Sequence, residues 1–392
     1  MKKIFIMNLG TTSFKFKLYA FSESQQQVLA SGEIESVGAA ESGYELYLGE
    51  GVKESGKTGI PDHAAGFSFC VSMLQRSGIL SDMADLDAVG YKAVHGGKLS
   101  GTQLVDDGLL EEMERMAPLV PAHNPIYLQA MRDIRSRYPQ LKQVARFETS
   151  FHGTIPDYRT SYGVPYRWRE ELGIRKYGFH GSSHEFIAGK MQKLCPEARR
   201  VISCHLGGSS SICAIKDGKS IATTMGATAQ SGLFNNNRVG DFEVFCLPML
   251  MEHYDGSLEN VLKALSKDSG LLGLSGVSND LRQVIQAADA GNAQAKLAVE
   301  TLVDNIVGYI GMYIAFLGGL DALVFTGGIG LLSDRIRRMV CDRFGYLGLE
   351  LDAEKNAAAN TELISTVRSS VRVYRIKTDE EIVVARNVYG ML

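Results

Sequence analysis

Cysteine is too sparse and too scattered in this 392-residue chain to build a metal or redox centre. The six cysteines, Cys70, Cys195, Cys204, Cys213, Cys246 and Cys341, include no Cys-x-x-Cys pair, which excludes the usual zinc-ribbon and dithiol spacings. Several lie in apolar runs such as Val201-Ile202-Ser203-Cys204, where a reduced, buried thiol is expected. A charge excess is also missing: 41 basic against 44 acidic residues leave a net charge of −3. That balance gives nucleic acid or an anionic membrane no electrostatic footing. After Lys2 and Lys3 only Ile4, Phe5, Ile6 and Met7 precede Asn8, an apolar run too short for a secretory signal; a first core strand is predicted there. The longest charge-free apolar stretch, 305–320, has 16 residues and several glycines. It falls short of a membrane span, so a buried helix is predicted instead. These absences predict a cytoplasmic protein with neither a nucleic-acid nor a membrane partner.

What is present is length enough for two domains with substantial cores. Ile4 and Ile6 alternate along one strand-like run, and Phe14, Phe16 and Leu18 along a second. Between them lies the small polar loop Asn8-Leu9-Gly10-Thr11-Thr12-Ser13. The design recurs in the second half. Val201-Ile202-Ser203-Cys204 leads into His205-Leu206-Gly207-Gly208-Ser209-Ser210-Ser211, and the chain returns through Ile212-Cys213-Ala214-Ile215 to a turn at Asp217-Gly218. Two such units predict an α/β fold of duplicated domains facing one another across a cleft, with a boundary near residue 150. Helical periodicity marks 109–116 and 293–316, and 371–376 alternates as a strand. Thr378 and Glu381 have capping-box spacing, so a final helix is predicted from there to the C-terminus.

Two small polar loops, 8–13 and 207–211, offer closely spaced donors that suit phosphate oxygens, though each also reads as a plain turn; a third glycine cluster, Thr326-Gly327-Gly328-Ile329-Gly330, suits close backbone approach to a nucleotide. The third partly matches a dinucleotide fingerprint, but Ser333 replaces its last glycine. Gly218-Lys219-Ser220 superficially suggests a P-loop; Cys213 stands where the first glycine belongs, and a hairpin turn is the better reading. His180 and His184 have a metal-like spacing, yet no third ligand stands near, and Gly181 between them disfavours a helix, so an anion-binding loop is expected rather than zinc. Arg238, among Asn235, Asn236 and Asn237, is placed either to stabilise a transferring phosphoryl group or simply on the surface. Glu148, flanked by apolar strand residues, is costly to bury unless paired or metal-bound.

Taken together these segments resemble the acetate kinase family of the sugar kinase/Hsp70/actin superfamily, across essentially the whole chain. Asn8 to Lys15 is similar to the family's Asn-x-Gly-Ser-Ser-Ser-x-Lys. Val94-His95-Gly96-Gly97, His123-Asn124-Pro125 and Tyr177-Gly178-Phe179-His180-Gly181-Ser182-Ser183-His184 resemble three further motifs. His205-Leu206-Gly207, Met225-Gly226, Arg238-x-Gly240-Asp241, Gly328-Ile329-Gly330 and Glu380-Glu381 complete the set. The resemblance implies two actin-like (ribonuclease H-like) domains: 1–150, joined by the C-terminal helix 379–392, and a nucleotide-binding domain 151–378. It implies a homodimer and reversible phosphoryl transfer between ATP, with Mg2+, and a small carboxylic acid, giving acyl phosphate and ADP. By matching position, Asn8, Thr11, Ser13 and Lys15 form the phosphate-side loop, and His180 and Arg238 hold the transferring group with Lys92, His123 and Glu148 beside it. Glu380 and Asn8 serve magnesium. His205, Gly207, Gly208, Asp280, Arg282, Gly328, Ile329 and Gly330 serve the nucleotide.

The departures are as informative. Lys92 stands where the family has arginine, losing the planar fork. Glu148 stands where it has aspartate, one methylene longer, and a shift of about 1 Å at a reacting centre costs on the order of a hundredfold in rate. Around the acceptor, Val94 and Phe179 are retained, but Ala122 replaces the usual leucine and Ala229 the usual proline. Leu331-Leu332 replaces Glu-Asn, leaving base preference open. Trimmed walls predict an acid bulkier than acetate. The competing reading is a weakened member that serves as a nucleotide-binding or regulatory protein, or as a kinase with another acceptor class.

Overall fold

The alternation at the N-terminus forms the predicted strand pair: β1 (Lys2–Leu9) runs antiparallel to β2 (Ser13–Phe21), in register from Lys2 opposite Phe21 to Leu9 opposite Phe14. This computed structural model describes every residue except Glu50, and the chain divides into two units, Met1–Gly153 with Asp379–Leu392, and Thr154–Thr378.

In the first unit, β3 (Gln26–Glu35), β4 (Ser42–Leu48) and β5 (Val52–Thr58) extend the sheet beyond β2 as antiparallel strands. On the other side β6 (Ala88–Ala93) pairs parallel with β1, and β8 (Gln143–Phe147) parallel with β6. The short β7 (Thr102–Leu104) closes that edge, giving the order β5-β4-β3-β2-β1-β6-β8-β7. Parallel strands need cover on both faces. Phe5, Met7 and Phe16 face a core that includes Phe67 of the helix His63–Arg76 and Met131 of the helix Asn124–Arg137. The C-terminal helix Glu380–Tyr389 covers β1, β6 and β8. Its close approach needs Gly90 on β6: a Cβ there would lie 2.6 Å from Ile6 and 2.8 Å from Val388. The capping-box expectation for this helix fails by one residue. Asp379, not Thr378, is the N-cap and accepts from the Ile382 N–H, because the helix starts at Glu380 and Asp379 is the extended residue immediately before it.

In the second unit the sheet order is β11-β10-β9-β12-β13, from β9 (Arg200–His205), β10 (Ser211–Lys216), β11 (Lys219–Thr223), β12 (Ala322–Thr326) and β13 (Arg372–Arg375). β9, β10 and β11 are antiparallel neighbours, while β12 and β13 add parallel. That repeats the order and directions of β3-β2-β1-β6-β8, the duplicated architecture expected from the two strand–loop–strand segments. β10 and β11 turn at Asp217 and Gly218, both at positive φ (52° and 77°), the geometry of a tight hairpin and not of a phosphate loop.

The 25-residue helix Ala293–Leu317 is long and apolar enough, by length and composition, to cross a membrane. Its stripe of Val299, Leu302, Val303, Ile306, Ile310 and Leu317 is instead buried in the core of this unit. The spacing of those positions is the three-and-four period that the sequence shows.

Candidate active site

In the first unit the residues singled out from sequence collect at the carboxyl ends of neighbouring parallel strands, where α/β sheets present ligand sites. Asn8 is the penultimate residue of β1, Lys92 sits near the end of β6, and Glu148 lies one residue past β8. Glu148 is therefore not a strand residue flanked by apolar neighbours; its N–H donates to the Ala93 carbonyl at 2.8 Å as the chain leaves the sheet, and its side chain is buried. The first turn of the helix Glu380–Tyr389 faces this strand end. Lys92 Nζ forms a close, mostly buried ion pair with Glu380, and Asn8 Nδ2 donates to Glu381 Oε1 at 3.2 Å. Burial pulls the Lys92 pKa down, but Glu380, Glu148 and Glu381 outweigh it and hold the ammonium well above the usual lysine value. Lys17 anchors the same turn through Asp379 (2.9 Å) and Glu381 (3.5 Å).

The loop between β1 and β2 is held by His63, whose Nε2 lies 2.9 Å from the Gly10 carbonyl. Thr11 is exposed, with its hydroxyl 3.4 Å from the Ala122 carbonyl. Ser13 begins β2, and Lys15 is directed onto the next strand, pairing with Glu33 at 3.0 Å. The Val-His-Gly-Gly and His-Asn-Pro segments meet through Asn124, which donates to the His95 carbonyl at 2.9 Å and the Met113 carbonyl at 2.8 Å. That places His123 at the entry of the helix Asn124–Arg137 without a capping side-chain bond. Val94 is half-buried and Ala122 exposed.

In the second unit His180 stands in left-handed backbone (φ 57°) immediately before the helix Gly181–Leu194. The expectation that Gly181 would disfavour a helix is corrected here: glycine is tolerated at a first turn, whose N–H groups lack intrahelical partners anyway, and His180 takes the unusual φ. His184 consequently turns inward. Ser211 Oγ lies 2.8 Å from His180 Nδ1 and 2.9 Å from His184 Nε2, while His184 Nδ1 lies 2.9 Å from Ser203 Oγ. His205 Nδ1 lies 2.7 Å from Ser183 Oγ, and its ring stacks on His180. Serine hydroxyls thus satisfy the imidazole pair that looked metal-like in sequence, and no cluster of three metal-ligating side chains occurs among the described residues. Serines 183, 203 and 211 carry no sequence signal for this; only folding brings them to the rings.

Arg238 is half-buried, with Nη1 donating to Ser209 Oγ at 3.0 Å and to the Ala229 carbonyl at 3.2 Å. Burial lowers its pKa. Among the alternatives left open by the sequence, this is a positioned guanidinium and not a surface one. Phe179 is buried beside His180 in sequence, and Ala229 half-buried. The loop between β9 and β10 joins these features: Ser211 meets His180, Ser209 meets Arg238, and Gly207 and Gly208 line a cavity of about 750 Å3.

That cavity gathers Gly207, Gly208, Asp280, Arg282, Gly328 and Ile329, with Asn236 and Leu332 from the Arg238 loop and the Leu331-Leu332 departure, and with Ile285 and Arg335, which the sequence did not single out. Its size suits a small ligand or cofactor. A Cβ on Gly328 would meet nothing within 4 Å and would occupy the open space, so the glycine keeps a cradle that any other residue would fill. Asp280 and Arg282 pair at 2.6 Å at its edge. Gly330 lies just behind the lining, its N–H donating to the Leu206 carbonyl at 3.1 Å.

The first unit carries a strand-end cluster of acid and base, and the second a histidine–serine network, a half-buried arginine and a glycine-walled cavity, on a duplicated α/β fold. Residues 3–386 match the profile of the Acetokinase family. The chain is 42% identical over 390 residues to a propionate kinase of Citrobacter rodentium, covering 98% of this chain and 96% of that one. It is 39% identical over 393 residues to an acetate kinase of Bacillus velezensis, covering 99% of each. The crystal structure of Porphyromonas gingivalis acetate kinase superposes with a TM-score of 0.89 at 34% identity, covering 100% of both chains. The chain belongs to the acetokinase family. It is an acetate kinase-like phosphotransferase with a carboxylate as acceptor, and its cofactors are ATP or ADP with Mg2+.

The residues present fit those cofactors. The cavity is built for close backbone approach, and Glu380, Glu381 and Asn8 supply hard oxygen donors. Magnesium at phosphoryl-transfer sites takes only one or two carboxylates, with phosphate and water completing its shell.

Proposed function

We propose that this enzyme phosphorylates a short-chain carboxylic acid bulkier than acetate, such as propionate, butyrate or a branched acid. The observation that carries the reading is the pair of alanines, Ala122 and Ala229, at positions where larger residues are usual in the family. Removing side-chain volume from an apolar wall favours an acceptor with more carbons, at about 1–3 kcal/mol per methylene. The propionate kinase named above is as similar to this chain as the acetate kinases are, in keeping with either acid.

In this reading a carboxylate oxygen attacks the γ-phosphorus of ATP in line, the bond to the β-phosphate oxygen breaks, and acyl phosphate and ADP leave. His180 and Arg238 hold the transferring group. Ser211 fixes the His180 ring through Nδ1. Lys92 neutralises carboxylate charge at the strand ends, where Glu380 and Asn8 would hold magnesium with Glu148 in support; bound magnesium supplies charge neutralisation to the phosphates. Asn8, Thr11 and Ser13 present the phosphate-side loop, and the 750 Å3 cavity takes the nucleotide. A homodimer in the cytoplasm belongs to the same reading. The alternative of a non-catalytic member is not favoured, because His180, Arg238 and Glu380 are all retained and Lys92 keeps a cation against Glu380.

A hydroxamate trap for acyl phosphate with Mg-ATP and unbranched and branched acids of two to six carbons tests the proposal. A higher kcat/KM for an acid longer than acetate supports it. Acetate outrunning every longer acid overturns it.

A further inference from the structure

Arg337 is 1% exposed, and no carboxylate among the described residues pairs with it. It lies in the helix Asp334–Cys341, directly after the short helix Gly327–Leu332. Its Nη1 donates to the carbonyls of Gly330 and Leu331, both at 2.9 Å. Nε donates to Asn356 Oδ1 at 2.7 Å and Nη2 to the Asn356 carbonyl at 2.6 Å. Asn356 in turn donates to the Asp334 carbonyl at 2.9 Å. Burial lowers the Arg337 pKa to about 10, so the buried guanidinium stays charged at neutral pH.

Burying an arginine without an acid partner is costly, and hydrophobic residues of similar volume often stabilise a core better. What the guanidinium grips is one end of the wall of the 750 Å3 cavity, whose lining runs through Gly328, Ile329, Leu332, Ser333 and Asp334. The other end is gripped as well. The Leu206 carbonyl accepts from Ile329 N–H at 2.8 Å and Gly330 N–H at 3.1 Å. The segment is therefore held by its N–H groups from one side and by its C=O groups from the other. The cation also meets a helix C-terminus, where unpaired carbonyls carry partial negative charge.

We propose that Arg337 is a positioning residue for the nucleotide: by holding the Gly330 and Leu331 carbonyls it fixes the glycine wall against which the nucleotide rests, and nucleotide affinity depends on it while acid affinity does not. The inference rests on the reading of this cavity as the nucleotide site. Lysine at 337 keeps the charge, but its single ammonium does not span both carbonyls and Asn356 as the planar fork does.

The test is calorimetric titration of MgADP into the full-length wild type, Arg337→Lys and Asn356→Ala, with the Tm of each recorded and KM for propionate measured alongside. The expected result is a rise in the MgADP dissociation constant of about tenfold or more in both folded variants, with KM for propionate changed less than about twofold. Folded variants that bind MgADP as the wild type does overturn the inference, and so does equal weakening toward nucleotide and propionate, the mark of a merely structural role. Should Arg337→Lys fail to fold, Asn356→Ala decides alone: it keeps Arg337 and its bond to the Asn356 carbonyl while removing the Oδ1 that orients Nε, together with the amide bond to the Asp334 carbonyl. A wild type that takes up no MgADP is a separate failure, that of the nucleotide reading itself.

Discussion

The rings of His180 and His205 stack with centroids 4.3 Å apart and planes 22° from parallel, although a helix and most of a strand lie between them in sequence. Ser211 is hydrogen-bonded to the His180 ring and Ser183 to the His205 ring. His205 thus acts as a backstop for a residue proposed to hold the phosphoryl group.

Replacing His180 with alanine is expected to lower kcat by about 10² to 10⁴, the range for a positioned catalytic group. His205→Ala should lose less, and His205→Phe less again, because a ring remains in the stack. Hydroxamate rates on folded protein rank the three, and an unchanged His180→Ala rate would sink the assignment.

Lys92→Met should be costly to stability as well as rate. It leaves Glu380, with Glu148 nearby, mostly buried without the cation that now answers them. Deleting one partner of a buried pair costs about 3–5 kcal/mol; the remaining exposure of this pair places the loss nearer 3 or below. Lys92→Arg, which restores a cation, should recover most of it. Denaturant midpoints for the two variants check this.

Gly327 has φ 74°, and a Cβ there would lie 2.5 Å from the Leu206 carbonyl oxygen. Gly327→Ala therefore has to push β12 and the β9–β10 loop apart, with backbone strain of about 1–3 kcal/mol. The loss should appear as weaker nucleotide binding before it appears as global unfolding. Comparing KM for ATP with Tm separates the two.

Asp321 accepts from Arg199 N–H, Arg200 N–H and Arg200 Nε at 2.8 to 3.0 Å, tying the starts of β9 and β12. Burial raises its pKa, but these bonds and the Arg200 charge win, and the folded value is lowered. Its contribution is therefore present above the unfolded aspartate pKa of about 3.9 and disappears as pH falls through the lower folded value. Asp321→Asn should cost about 2 kcal/mol at pH 7 and progressively less below pH ~4. Urea midpoints across pH show the convergence, if it is there.

Ala122→Leu combined with Ala229→Pro should return the acceptor preference toward acetate by roughly tenfold or more in relative kcat/KM. An unchanged ratio between acetate and butyrate would place specificity elsewhere.

The sequence by itself determined the elements and their kind. Alternation at Ile4 and Ile6 and at Phe14, Phe16 and Leu18 sufficed for β1 and β2, and a three-and-four period sufficed for the helix Ala293–Leu317, because both depend on one chain segment burying one face. Motif residues such as Lys92, His180, Arg238 and Gly328 were legible because their neighbours in sequence form a recognisable pattern. Their partners were not. The pairing of Lys92 with Glu380, of His180 with Ser211 and of Arg337 with the Gly330 carbonyl depends on where separate elements come to rest. Even local details moved: the C-terminal helix took Asp379 as its cap, and Gly181, expected to disfavour a helix, opened one. Periodicity reports how a segment meets its own core. Hydrogen-bond partners, ion pairs and cavity walls are set by distances across the fold, which no local pattern encodes.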